Sequence, residues 1–295
     1  MRRILRWALF VLLASVALAV ASVGMWLPVV VWHRFHPPRA TALMHVRADE
    51  AAARGHEWTP RYEWVPLDRI SANLEAAVLA AEDTRFYRHH GFDLEQIRSA
   101  IEARERGDRL RGASTITQQT VKNLYLSPRR DLLRKAREAA LTVWMELWLP
   151  KRRILELYLN VVELGPGVFG AEAASRVYFS RPAARLTPSQ AALLAATLPA
   201  PLDRNPGAPT SGLRRRQSLV LARMNRWFGT GRGGGEPAPG PARRPELRPS
   251  DPLELPTAPV DSAPETRPTP MDSVPALAPT PAEIDSVAAT SGGPS

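Results

Sequence analysis

The sequence predicts a mostly α-helical domain between an apolar N-terminal segment and a proline-rich C-terminal tail. Three observations support this prediction. Through the middle of the chain, apolar residues recur at helical spacing beside residues that favour helix ends. The N-terminal segment has no charged residue from Ala8 to Trp32. Residues 236–295 are rich in proline and contain no Phe, Trp or Tyr.

The N-terminus has the features of a membrane anchor. Residues 1–7 carry three arginines, and residues 8–32 exceed the roughly 20 apolar residues that a transmembrane helix needs. Because the arginines precede the apolar segment, the positive-inside rule places residues 1–7 in the cytoplasm and the remainder outside. A cleaved signal peptide is the alternative, since "ALAVA" offers a plausible cleavage site. The apolar segment is longer than the roughly 7–15 residues of a typical signal core, which favours the anchor.

The C-terminal tail, residues 231–295, is predicted to be disordered. The stretch "EPAPGPARRPELRPSDPLELP" is typical of its composition. Such a segment cannot bury enough apolar surface to offset the entropy lost on ordering. The folded part is therefore expected over residues 39–230, the size of a single domain.

Three helices are predicted in the first half of this domain. Ser71 is placed to cap "SANLEAAVLAAED", Asp93 to begin "DLEQIRSAIEARERG", and Ser114 to begin "STITQQTVKNLYL". Gly107 is the expected end of the second helix. The apolar residues of that second helix, at helical spacing, are Leu94, Ile97 and Ile101.

Three more helices are predicted in the second half. Pro150 suits the first turn of "PKRRILELYLNVVELG", and Thr187 with Pro188 suits the start of "TPSQAALLAATLP". A short extended stretch is expected only around "YEWVPL". Before Pro150 lies the long segment "RDLLRKAREAALTVWMELWL", whose apolar residues on one side include Leu132, Leu133, Ala136, Ala140 and Val143.

The composition excludes several kinds of site. The chain has no cysteine, so it can form neither disulfides nor thiolate metal sites. It also lacks a G-x-S-x-G elbow, an H-E-x-x-H zinc motif and a P-loop. The net charge of +10 predicts affinity for polyanions, such as anionic lipids, pyrophosphates or nucleic acid. Nucleic acid is set aside because the folded part is expected outside the cytoplasm.

Two polar patterns are ambiguous when taken alone. In "RKARE", Arg134, Lys135 and Glu138 can share one helix face, as in an ordinary surface salt-bridge pattern. In "STITQQTVK", Gln118 and Lys122 are four residues apart, which also describes any polar helix start. Neither pattern by itself indicates a function.

The patterns are far more specific as an ordered set. "EDTRFYRHHG" has the form E-D-x-x-F-x-x-H-x-G and is followed by "GASTITQQ", "RKARE" and "KRRILELYLN". This set resembles glycosyltransferase family 51, the peptidoglycan glycosyltransferases, from about Trp64 to Pro201. The stretch "YLNVVELGPGVFGAEAASRVYF" is similar to the monofunctional biosynthetic peptidoglycan transglycosylase branch. The S-x-x-K and K-T-G set of a transpeptidase domain does not follow.

The resemblance implies a lysozyme-like helical fold that polymerises lipid II, a disaccharide-pentapeptide on undecaprenyl pyrophosphate. The growing strand would be the donor and lipid II the acceptor, with inversion at the anomeric carbon. By its place in the first motif, Glu82 would be the general base that takes the proton of the acceptor's 4-hydroxyl. Its position at the end of an apolar helix would keep this carboxylate partly desolvated and basic.

The resemblance also implies roles for the other motif residues. Glu138 would be a second catalytic carboxylate that orients cations or stabilises charge at the anomeric centre. Asp83, Phe86, His89 and Gly91 would support the turn that follows Glu82. The residues expected to bind sugar or phosphate are Ser114, Gln118, Gln119, Lys122, Arg134 and Lys135.

Partners and location follow from the same resemblance. The expected partners are lipid II, the growing glycan strand, the membrane and other cell-wall synthesis proteins. The expected location is the bacterial inner membrane, with a single span and the catalytic domain on the periplasmic side. Trp26 and Trp32 would lie near the bilayer surface, whereas Trp144 and Trp148 fit either that surface or the core.

Two questions stay open at this stage. No cofactor is expected to be required, although a divalent cation could assist at the pyrophosphate. A lysozyme-like lytic muramidase is the main alternative, because two glutamates can also act as acid and nucleophile. A non-catalytic, membrane-anchored scaffold is the third possibility.

Overall fold

The computed structural model describes residues 24–106, 114–128 and 131–229, together with residues 3, 6, 7 and 10. Most of the predicted span at 8–32 and all of the predicted tail at 231–295 therefore lie outside the described residues. Within the described part, no helix combines the length and apolar character needed to cross a membrane.

The described residues are mostly helical, as predicted. Two short 3₁₀ turns lie at Leu67–Arg69 and Ala183–Arg185. In chain order, the α-helices are α1 (Leu27–Trp32), α2 (Ala42–Ala52), α3 (Ala72–Glu82), α4 (Leu94–Glu105), α5 (Ile116–Tyr125), α6 (Leu132–Trp148), α7 (Lys151–Val161), α8 (Ala171–Phe179), α9 (Pro188–Thr197) and α10 (Ser211–Phe228).

A small sheet joins distant parts of the chain. Its strands are β1 (Arg61–Tyr62), β2 (Glu163–Gly165) and β3 (Val168–Phe169), in the order β1-β3-β2. Strand β1 runs parallel to β3, and β2 runs antiparallel to it with an irregular register. Only Tyr62 of the predicted extended stretch belongs to a strand. The other two strands escaped prediction because segments of two or three residues show no alternation.

Three predicted helix starts are confirmed. Ser71 caps α3 by accepting the backbone N–H of Asn73, and Asp93 caps α4 by accepting that of Gln96. Thr187 caps α9 in a reciprocal capping box, and Pro188 occupies the first helical position. These caps use short polar side chains of the types that favour helix starts, and this is why they can be predicted from the sequence.

Two other starts are displaced by one residue. Thr115, not Ser114, caps α5, because its hydroxyl accepts the backbone N–H of Gln118 and its own N–H reaches the Gln118 side chain. Pro150 is the cap residue of α7 rather than part of its first turn, and the helix begins at Lys151. Gly107, the predicted end of α4, lies outside the described residues, and the helix ends at Glu105.

Helices α3 and α9 lie at the centre of the core. Both consist largely of alanine and leucine, and both are buried over most of their surface. Helix α3 packs against α9 and α10, while α5 packs against α6 and α7. One buried cluster extends from Val30 in α1 to Met224 in α10. A helix that is apolar nearly all round is stable only inside such a core.

The apolar residues that predicted α6 do not form its buried face. Leu132 is 90% exposed and Val143 47% exposed, whereas the buried face carries Leu141 and Met145 together with the polar Glu138. Periodicity identifies a helix but does not choose between two faces that both hold apolar residues. The buried face is the one that brings Glu138 to the interior.

Two related interpretations are also settled by burial. On α4, Leu94 is 74% and Ile101 55% exposed, so its apolar residues do not form a buried face either. Trp144 packs against the core, and Trp148 is 41% exposed. Of the two tryptophans, only Trp144 therefore belongs to the interior.

The side chain of Asn160 ties the beginning of the domain to α7. Its Oδ1 accepts the backbone N–H of Val65 at 2.9 Å, and its Nδ2 donates to the carbonyl of Val65 at 2.9 Å. Asn160 is fully buried and also donates to the carbonyl of Glu156. One amide thus satisfies both backbone groups of Val65, as a neighbouring strand would.

Candidate active site

Glu82 is the last residue of α3 and is partly exposed. Its Oε2 accepts a hydrogen bond from Gln119 Nε2 at 3.0 Å, and Gln119 Oε1 accepts one from the hydroxyl of Tyr158 at 3.1 Å. Tyr158 is fully buried, and desolvation raises its pKa, with the charge of Glu82 adding to the effect. The phenol therefore remains a hydrogen-bond donor. The two successive hydrogen bonds, from Tyr158 to Gln119 and from Gln119 to Glu82, orient the Glu82 carboxylate.

Asp83 holds the end of α3 against the start of α5. Its Oδ2 accepts the backbone N–H of Ile116 at 3.0 Å, in the first turn of α5. Its carboxylate also pairs with His89 Nε2 at 2.9 and 3.0 Å. Both residues are buried, so they position backbone rather than face the solvent. A carboxylate at a helix N-terminus is also favoured by the helix dipole.

Gly91 closes the turn that follows. Its φ of +87° is unfavourable for other residues, and an added Cβ would lie 2.7 Å from Cγ2 of Thr142. Its carbonyl accepts the hydroxyl of Thr115 at 2.7 Å. Phe86, fully buried, fills the inside of the turn, with Lys151 Nζ 4.3 Å from its ring centre. The predicted supporting residues therefore lie together behind Glu82.

Helix α5 carries amides in its first turn and a cation, Lys122, in its last turn. The Oε1 of Gln118 accepts the backbone N–H of Thr115, which orients the side chain and leaves its Nε2 amide to donate to a ligand. Ser114, just before the cap, is exposed. Gln119 and Lys122 follow on the same helix. The capping box thus restricts what Gln118 can contribute.

Arg134 and Lys135 lie on α6 and both pair with Glu138. Arg134 Nη1 is 2.8 Å from Glu138 Oε2, and Lys135 Nζ contacts Glu138 Oε1. Glu138 is only 4% exposed, so it holds both cations from the interior. Desolvation lowers the pKa of Lys122, and the neighbouring Arg134 and Lys135 lower it further, against the opposite effect of Glu138 and Glu82.

These groups meet in one cleft of about 470 Å³. Glu138 lines it, and Glu82 is joined to it through its hydrogen bond with Gln119. The lining includes all six residues predicted to bind substrate: Ser114, Gln118, Gln119, Lys122, Arg134 and Lys135. The arrangement places one carboxylate, able to accept a proton, beside a group of cations able to bind an anion.

Comparisons with known proteins agree on one family. The sequence model of the transglycosylase family matches residues 51–225. The chain belongs to the transglycosylase family. The matched residues include all four sequence motifs, from Glu82 in the first to Asn160 in the last.

Curated relatives extend this result. A biosynthetic peptidoglycan transglycosylase of Rhodospirillum centenum is 46% identical over 214 residues, covering 72% of this chain and 90% of the relative. One from an Azoarcus species is 48% identical, covering 68% of this chain and 87% of the relative. One from Aeromonas hydrophila is 50% identical, covering 56% of this chain and 70% of the relative. The protein is thus an enzyme of the glycosyltransferase class.

Among the residues that line the transglycosylase cleft, sequence reasoning missed two charged ones, Arg47 and Glu163. Arg47 Nε lies 3.2 and 3.1 Å from the two carboxylate oxygens of Glu163, and its Nη2 lies 2.8 Å from Oε2. Glu163 is 3% exposed. Glu163 lies in the stretch that resembles the monofunctional branch, but Arg47 is 116 positions away and belongs to no quoted motif, so the sequence offered no signal for the pair.

A buried trio of possible metal ligands lies outside the cleft lining. The ligand atoms of Asp83, His89 and Asp93 fall within 4.8 Å of one another. Asp93 Oδ1 accepts the backbone N–H of Gln96, and its Oδ2 lies 3.6 Å from Arg85 Nε. With Asp83 also engaged by backbone and His89, these acceptors fix the turn. None of the three is among the lining residues of the cleft that holds Lys122, Arg134 and Lys135.

Proposed function

We propose that this transglycosylase polymerises lipid II into linear glycan strands and releases undecaprenyl pyrophosphate. The observation that supports the proposal is the joint position of Glu82 and the cationic cleft. A transfer from a pyrophosphate donor needs a base for the attacking hydroxyl and positive charge for the leaving group. Glu82 at the end of α3 would meet the first need, and Lys122 on α5 with Arg134 and Lys135 on α6 would meet the second.

In the proposed reaction, Glu82 takes the proton of the acceptor's sugar 4-hydroxyl. The hydroxyl oxygen then forms a bond to the anomeric carbon of the donor, and the bond from that carbon to the pyrophosphate oxygen breaks. The configuration at the anomeric carbon inverts because attack and departure occur on opposite faces. Gln119 holds Oε2 of Glu82 and so sets the direction in which the carboxylate accepts the proton.

The departing pyrophosphate gains negative charge as the bond breaks. Lys122, Arg134 and Lys135 line the cleft and offset that charge. The buried Glu138 orients two of them, so their positions are set before the substrate arrives. Preorganised charges of this kind need no rearrangement during the reaction.

The remaining contacts concern the sugars and any ion. Ser114, Gln119 and Nε2 of Gln118 are available in the cleft to donate to sugar or phosphate oxygens. The proposed reaction requires no cofactor. If a divalent cation takes part, we expect it on the pyrophosphate in the cleft rather than at the buried trio of Asp83, His89 and Asp93.

Location and partners follow from the same proposal. Because lipid II is a membrane lipid, the chain would act at the outer surface of the bacterial inner membrane, anchored by residues 8–32. The growing glycan strand and other cell-wall synthesis proteins would be its partners there. Nucleic acid would not be one.

An assay with purified lipid II tests this proposal. The wild-type chain should form glycan strands and release undecaprenyl pyrophosphate, and Glu82→Gln should slow this by about a hundredfold to ten-thousandfold. Wild-type turnover by a correctly folded Glu82→Gln variant would contradict the role of Glu82. New reducing ends released from preformed peptidoglycan, without strand formation from lipid II, would instead identify a lytic muramidase.

A matched control is available on α4. Glu102 pairs with Arg98 at 3.0 Å on an exposed helix surface and does not line the cleft. Glu102→Gln makes the same chemical change as Glu82→Gln, so its rate should equal that of the wild-type chain.

A further inference from the structure

The guanidinium of Arg47 has two edges with different partners. Its Nε and Nη2 bind Glu163, which is almost fully buried. Its Nη1 binds Glu50 at 2.9 Å, and the Glu50 side chain is 44% exposed. One edge is therefore held from the interior, and the other carries a solvent-exposed carboxylate.

Arg47 also brings α2 to the cationic cleft. It lines the same cleft as Lys122, Arg134 and Lys135, and α2 packs against α5, which carries Lys122. Glu163 fixes the guanidinium plane with two parallel contacts, a geometry that lysine cannot reproduce. The Nη1 edge is thus a preoriented donor whose present partner is an anion on the protein surface.

We propose that the Nη1 edge of Arg47 binds an anionic oxygen of the lipid-linked diphosphate substrate and exchanges Glu50 for it. This inference rests on the proposed function and adds a substrate contact from α2, outside the motifs. Glu50 occupies the edge in the free enzyme as an internal stand-in for that oxygen. The exchange is feasible because an exposed ion pair is weak, whereas the buried Glu163 keeps the guanidinium in place.

The exchange makes opposite predictions for the two partners of the exposed pair. Glu50→Gln removes the competing charge, so it should lower the KM for lipid II by about twofold to fivefold, the range of an exposed pair. Arg47→Lys retains a charge for Glu163 but loses the second edge. It should raise KM by about tenfold to a hundredfold, with kcat little changed, as expected for a lost charge-assisted hydrogen bond.

The double variant and a control separate exchange from general electrostatics. In the Arg47→Lys background, Glu50→Gln should no longer lower KM. Glu102→Gln removes the same charge from another exposed pair and should leave KM unchanged. Melting temperatures of all the full-length variants in detergent check that they are folded.

Three results would overturn the inference. They are an unchanged KM in folded Arg47→Lys, a KM in Glu50→Gln that equals or exceeds the wild-type value, and an equal Glu50→Gln effect in both backgrounds. If the wild-type chain does not consume lipid II, the proposed function fails instead. Calorimetric titration with farnesyl diphosphate then decides about Arg47: binding must weaken in Arg47→Lys and strengthen in Glu50→Gln.

Discussion

Glu75 provides a test of the structure that does not depend on its function. It lies on α3, two helical turns before Glu82, and burial raises the pKa of its carboxyl from 4.5 to about 7, against a smaller opposite effect of Arg152. The perturbation is Glu75→Gln, which keeps the size of the side chain and removes its ionisation.

The magnitude follows from the two pKa values. Ionisation of the folded chain occurs about 2.5 pH units above that of the unfolded chain, and each unit corresponds to about 1.4 kcal/mol. Below pH 4.5 both states hold the proton, and Glu75 has no pH-dependent effect. As pH rises from 4.5 to about 7, the unfolded chain releases its proton first, so the free energy of unfolding falls by about 3 kcal/mol.

The assay compares wild type and Glu75→Gln by guanidinium unfolding in detergent, followed by tryptophan fluorescence. The effect of the substitution at about pH 8, minus its effect at about pH 4, should be a relative stabilisation of about 3 kcal/mol. Taking this difference removes the cost of burying an amide, because that cost does not change with pH. The same difference for Glu102→Gln, on the surface of α4, should stay below about 1 kcal/mol. Equal differences for the two variants would refute the burial of an ionisable Glu75.

Two further predictions concern the cleft and the turn behind it. Lys135→Ala should slow transfer from lipid II by about tenfold to a few hundredfold. Arg137 is an exposed cation on the same helix, and Arg137→Ala should leave the rate unchanged. Equal rates in the two variants would show that Lys135 is an ordinary surface residue. Gly91→Ala should lower the free energy of unfolding by about 2–4 kcal/mol, from its positive φ and from the contact with Thr142 Cγ2. Thr142→Ser removes that methyl group, so urea unfolding of the double variant should recover part of the loss, and strict additivity would contradict the contact.

Much of the helical fold could be predicted because its signals are local. Ser71, Asp93 and Thr187 cap helices with their own side chains, and each is a residue type that favours helix starts. The buried face of α6 could not be predicted in this way. Its exposed side is as apolar as its buried side, and the difference depends on which neighbours accept Glu138.

The cleft shows the same division. The residues on α5 and α6 could be assigned to one site because the resemblance covers both motifs, and they lie together because the two helices pack against each other. The capping box that engages Gln118 Oε1 could not be predicted from the sequence, because it depends on where the backbone N–H of Thr115 lies. The pair of Arg47 and Glu163 required the fold itself, since the two residues are 116 positions apart and α2 is placed by its packing on α5.

The pairing of Asn160 with Val65 has a consequence for how the chain folds. The two residues are 95 positions apart, and the parallel pairing of β1 with β3 spans a similar distance. Contacts of such separation require a large loop to close before they contribute any free energy. Helices can form early from their own caps, whereas the segment that contains Val65 can dock only after α7 is in place. The last step of folding should therefore be the closure of this loop, and substitutions at Asn160 should mainly accelerate unfolding.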